Sequence, residues 1–242
     1  MKAIFSRIKI NRFTLLFWAA IGIWFLPGLL SCGKRDNVIP VGANIQFQVV
    51  NLSPDLQPVN LWVGYVKRNI AYRYPSPSGY FSLTSIDTPL QIRSALATVT
   101  GRSFVSIDTL LKANTKYTLF VTGLRADSTV SGIFTIDTAA TPVPGRGKVR
   151  FINASPRSGS LDITANGTAA FTSRAYKTVS KFIEMAPGSY SFKIMPAGNA
   201  STVLSTLPPL TVQDGKLYTL YSYGIAGRVD SAAFGAAVIA NR

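Results

Sequence analysis

The chain has 242 residues, 25 of them Lys or Arg and 10 Asp or Glu, with one cysteine and no histidine. Lacking histidine and a second thiol, it cannot build Ser-His-Asp or Cys-His nucleophiles, Cys/His zinc sites or an internal disulfide. The formal charge of +15 favours anionic partners, but the basic residues are scattered, so no nucleic-acid surface is expected.

Residues 1–31 have the layout of a secretory signal peptide. Lys2, Arg7, Lys9 and Arg12 form a basic start, Phe13 to Leu30 an almost uncharged apolar stretch, and Ser31 a small residue at the expected cut. An uncleaved signal anchor is the competing reading, because eighteen apolar residues nearly span a bilayer. Pro27-Gly28 and the lone Cys32 weigh against it. The run Leu29-Leu30-Ser31-Cys32 resembles the lipobox of bacterial lipoproteins. That resemblance implies cleavage before Cys32 and acylation of its thiol and new amino terminus, anchoring the protein to a membrane of the cell envelope. Gly33, in place of Asp, is compatible with the outer membrane. The leader carries four basic residues and no acidic ones, so the mature chain is expected to hold a charge of +11. Residues 32–43 read as the anchored tether, and its eleven residues after Cys32 extend to at most roughly 40 Å.

The remainder repeats itself. Asn51-Leu-Ser-Pro54 is answered by Asn153-Ala-Ser-Pro156, an offset of 102 residues. Phe47 and Val49 correspond to Val149 and Phe151, and Val59-Asn60-Leu61 to Leu161-Asp162-Ile163, at that same offset. Lys116-Tyr-Thr-Leu-Phe120 matches Leu217-Tyr-Thr-Leu-Tyr221, now offset by 101. Conserved order and spacing indicate a tandem duplication. Thr141-Pro-Val-Pro-Gly-Arg-Gly147 has the punctuation of a linker. The expected division is residues 44–141, linker 142–147 and residues 148–242.

Within each unit the apolar period is two, as in Ile45–Val49, Tyr117–Val121, Tyr190–Ile194 and Tyr218–Leu220, which predicts half-buried strands. Turn signals stand between them at Ala113-Asn114, Asn166-Gly167, Pro187-Gly188 and Asp214-Gly215. No segment after the leader shows a sustained helical period. Several short strands per unit predict an all-β protein with two tandem sandwiches.

The second unit runs Val149-Arg-Phe-Ile-Asn-Ala-Ser-Pro156, Leu161-Asp-Ile163, Ala186-Pro-Gly-Ser-Tyr190 and Asp214-Gly-Lys-Leu-Tyr-Thr-Leu220. This succession resembles the bacterial envelope repeat called domain of unknown function 4397, over residues 146–225. The first unit keeps Asn-x-Ser-Pro-Asp and the Tyr-Thr-Leu strand, but lacks the Pro-Gly-x-Tyr turn at Thr84 to Pro89. The resemblance implies immunoglobulin- or transthyretin-like sandwiches and brings no catalytic residues with it.

The repeated Asn-x-Ser-Pro reads as a strand-ending turn, since Asn and Ser side chains bond nearby backbone amides and proline presets a turn. Ser180-Lys181 would point to opposite faces of a strand, and no Ser-x-x-Lys lies within the mature chain. The dispersed acids form no calcium loop, and no P-loop occurs. No catalytic residue, metal ligand or cofactor is assigned.

Aromatic residues supply the candidate ligand contacts. Alternation through Asn60-Leu-Trp62-Val-Gly-Tyr65 puts Leu61 and Val63 inward and Trp62 outward, where the second unit has Thr164. Trp62 is then either a stacking platform or a residue covered by a loop or by the other unit. Tyr72-Arg-Tyr74-Pro-Ser-Pro-Ser-Gly-Tyr80 reads as a surface loop, giving candidates Trp62, Tyr65, Tyr72, Tyr74 and Tyr80. The leading reading is a non-catalytic envelope lipoprotein used for adhesion, scaffolding or partner binding. The alternative is a glycan-binding module of a polysaccharide-uptake system. Third stands a hydrolase using two facing carboxylates.

Overall fold

The computed structural model describes residues 43–241, except 86, 97 and 100. Cys32, the leader and most of the tether lie outside the described residues. The described residues contain no helix.

The first repeat contributes β1 (Asn44–Asn51), β2 (Val59–Val63), β3 (Val66–Tyr72), β4 (Phe81–Thr84), β5 (Leu90–Ser94), β6 (Ser103–Ile107), β7 (Lys116–Thr122) and β8 (Ser131–Ile136). The strands form two sheets, ordered β4-β1-β7-β8 and β3-β2-β5-β6. The second repeat contributes β9 (Gly147–Asn153), β10 (Leu161–Ala165), β11 (Thr168–Arg174), β12 (Ile183–Met185), β13 (Gly188–Tyr190), β14 (Phe192–Pro196), β15 (Ser205–Thr206), β16 (Leu210–Val212), β17 (Leu217–Tyr223) and β18 (Gly235–Ala240). Its sheets are β12-β9-β17-β18 and β11-β10-β14-β15, with an added ribbon β13-β16. The duplication extends to the register. Phe47 in β1 pairs in parallel with Tyr117 in β7, and Val149 in β9 with Tyr218 in β17.

Each repeat closes its two sheets on its own apolar core. Phe47, Val49, Leu61, Ile92 and Leu119 lie in the first, and Val149, Phe151, Ile163, Ile194 and Leu220 in the second. Most of the alternate residues of β1, β7, β9 and β17 are buried too. They meet in a third cluster, where Val50, Leu52, Phe120 and Ile133 pack against Ile152, Ala154, Tyr221 and Ile239. Strands buried on both faces carry unbroken apolar runs, as in Leu119-Phe120-Val121. Four sheets therefore stack in four layers, and the described residues belong to one compact unit.

The segment between the repeats is tied to the second one. Gly145 and Arg146 donate backbone N–H groups to Asp214, and Val143 donates to Glu184. Two sequence expectations need correction. The alternation through Tyr190–Ile194 predicts one strand, but it divides at Ser191, whose N–H goes to the Asn166 side chain. Tyr190 thus joins the ribbon, and Phe192 starts the strand beside β10. Ser180 and Lys181 lie outside any strand. The Ser180 hydroxyl accepts the Phe151 N–H and donates to the Lys181 carbonyl.

Candidate functional site

The Asn-x-Ser-Pro motifs are internal struts. Asn51 and Asn153 are fully buried at the ends of β1 and β9. The Asn153 amide donates to the carbonyls of Gly159 and Arg174, and its oxygen accepts the Ser155 N–H and the Ser222 hydroxyl. Asn51 repeats the pattern, donating to Leu56 and accepting from the Ser53 N–H. Every polar atom that drew attention to the motif has a partner within the fold.

The five aromatic candidates separate into three environments. Tyr72 is a core residue at 4% exposure, stacked on Phe81. The expectation that it lies on a surface loop is therefore corrected: it is the last residue of β3, on that strand's inward face. Tyr74 and Tyr80 belong to the contact between the repeats. Tyr74 meets Tyr223 edge to face at 5.9 Å. Burial, with Tyr223 and Asp230 nearby, pushes its hydroxyl up to about 12. The Tyr80 hydroxyl donates to Asp137 at 2.9 Å and accepts from Asn241 at 2.9 Å. Burial and then the Asp137 carboxylate push it up to about 12. Only Trp62 and Tyr65 remain outward. Tyr65 is 66% exposed, at the tip of the hairpin joining β2 and β3.

Around Tyr80 runs a polar network that sequence reasoning missed. Arg150, 4% exposed, pairs with fully buried Asp137 and donates further to Thr219, Thr135 and the Ile136 carbonyl. Asp137 also accepts the hydroxyls of Thr118 and Thr135. Lys116 reaches across to the Asn241 carbonyl. The available signal was a lone Arg between Val149 and Phe151, on the strand face opposite the core.

Trp62 stands half-buried on the outer face of β2, as alternation predicts. Register places Lys67 of β3 and Gln91 of β5 directly beside it, with Arg93 opposite Asn60 on the same face. The Arg93 guanidinium lies 4.3 Å from the Trp62 ring centroid, and its Nη2 donates to Gln91. The loop after β5 borders a cleft of about 480 Å³ here.

The nine described carboxylates all have structural partners. Asp55, Asp87, Asp108, Asp162 and Asp214 hold backbone or hydroxyl donors of nearby turns. Asp127, Asp137, Glu184 and Asp230 pair with Arg157, Arg150, Lys148 and Arg228. Among the described residues no group of three or more His, Cys, Asp or Glu could hold a metal.

No curated protein matches the chain. Among solved structures, the C-terminal domain of AlgF from P. aeruginosa is 17% identical over 40% of this chain and 98% of its own, with a TM-score of 0.31. A leucine-rich repeat protein from Bacteroides thetaiotaomicron VPI-5482 is 13% identical over 73% of this chain and 25% of its own, with a TM-score of 0.19. The family model for a domain of unknown function (DUF4397) matches twice, over residues 45–164 and 147–242. The first match spans the first sandwich and runs on into β10, the second covers the second sandwich, and the chain belongs to the DUF4397 family as a tandem pair.

Proposed function

We propose that the protein is a non-catalytic lipoprotein of the bacterial cell envelope, anchored to the outer membrane through Cys32. Its paired sandwiches act as one rigid body for adhesion, scaffolding or partner binding. The observation that carries this reading is the commitment of the nine described carboxylates to turns and cations. In a chain without histidine, that leaves little for acid-base chemistry. The shared seam adds support, because a body that presents a surface gains from having no internal hinge.

Labelling with fatty acid tests the anchor. Wild-type protein incorporates label and sediments with membranes, whereas Cys32→Ser does neither. Labelling that persists in Cys32→Ser would remove the lipoprotein reading. A second reading, glycan capture within a polysaccharide-uptake system, is favoured by one observation: the outward Trp62 beside its cleft.

A further inference from the structure

The two repeats offer an internal comparison at the Trp62 face. With β2 aligned on β10 and β5 on β14, Asn60, Trp62, Gln91 and Arg93 correspond to Asp162, Thr164, Lys193 and Met195. The fold is the same in both copies, so it does not require tryptophan at that position. The first repeat has a half-buried indole there, with a guanidinium already fixed against it. The Arg93 Nε is buried without a hydrogen-bond partner among the described residues. Exposed Lys67 adds a second cation across the strand pair, and neither cation has an ion-pair partner among the described residues. The cleft is lined by Asn60, Trp62, Lys67, Arg93, Leu96 and Val99 among others, and none of the described lining residues is acidic. The second repeat puts Asp162 on the equivalent face, where it caps the N–H groups of Ser173 and Gly198.

Resting on the reading of the protein as a binding module, we propose that this face of the first repeat binds an acidic sugar of a polysaccharide. The sugar's anionic group lies against Arg93 and Lys67, and its ring lies against Trp62. Positive charge without acidic neighbours selects an anion. A guanidinium held by stacking and by Gln91 binds it with little further ordering. An open cleft with an aromatic wall and a polar rim suits a flat ring bearing hydroxyls better than an aliphatic side chain.

Binding of the full chain in detergent to polygalacturonate, sulfated dextran and neutral dextran tests this by affinity electrophoresis. Wild type should be retarded by at least one acidic polymer and not by neutral dextran. Trp62→Ala and Arg93→Gln should each weaken that binding about tenfold. Lys181→Gln, an equal loss of charge on the second repeat, should change it less than about twofold. Whichever polymer shows Trp62 dependence identifies carboxylate or sulfate as the recognised anion. Equal retardation by neutral dextran, equal losses for Lys181→Gln and Arg93→Gln, or no effect of Trp62→Ala in a variant with wild-type circular dichroism would each overturn the proposal. So would a failure to bind either acidic polymer. Release of new reducing ends from a bound polymer would instead sink the non-catalytic reading and leave the site standing.

Discussion

Arg150 sits in β9 where Gln48 sits in β1, and both face the seam between the repeats. Gln48 needs only the Thr118 hydroxyl, whereas Arg150 brings a charge into a region closed to water. Burial pulls the Arg150 guanidinium down, and Asp137 opposes that shift. Such a pair stabilises little beyond what apolar residues of similar volume would provide, but losing one partner strands a charge. Asp137→Ala should therefore cost roughly 3–5 kcal/mol, while Asp137→Leu combined with Arg150→Met should cost much less. Urea denaturation of the three proteins checks the ordering. A double variant no more stable than Asp137→Ala would mean that the ion pair itself is indispensable.

At the scale of elements, the hairpin between β2 and β3 turns through Gly64 and Tyr65 with φ values of 52° and 69°. The equivalent turn in the second repeat is Asn166-Gly167, at 50° and 86°. Two positive φ values suit Asn-Gly, whereas a bulky L-residue in that region costs roughly 1–2 kcal/mol. Tyr65→Asn should raise thermal stability by about 0.5–1 kcal/mol, because Asn tolerates the left-handed region. A loss of stability would instead reveal a favourable contact of the Tyr65 ring. The offset of 102 aligns Gly64-Tyr65 with Asn166-Gly167, so this turn is legible in the sequence, and Tyr65 at its tip stays among the outward aromatic candidates. Alternation likewise placed Trp62 outward and Leu61 inward, because the pleat alone decides both. It did not separate Tyr72 from Tyr74 and Tyr80. Those positions depend on where β3 ends and on a neighbouring repeat more than a hundred residues away. Nor could it match Asp137 to Arg150, because partners across two sheets leave no mark in local spacing.

The whole molecule is defined by what lies between its repeats. A pair joined only by a flexible linker would unfold as two independent domains. Here Phe120 and Tyr221 meet across the seam at 5.4 Å, and Thr122 donates to the Ala154 carbonyl at 2.6 Å. Asn241, near the end of the chain, reaches Tyr80 in the first repeat. Unfolding one repeat would expose this apolar patch on the other and break the Asp137–Arg150 pair that spans the seam, so the two should melt together. In the chain lacking residues 1–31, Trp62 is the single tryptophan and reports on the first repeat. Ile163 is fully buried in the core of the second repeat and absent from the seam cluster. Ile163→Ala should cost roughly 2–5 kcal/mol and lower the midpoint seen by Trp62 fluorescence as much as that seen by circular dichroism. A fluorescence midpoint left unmoved, with only the circular dichroism shifted, would show that the repeats fold separately and that the seam does not make them one body.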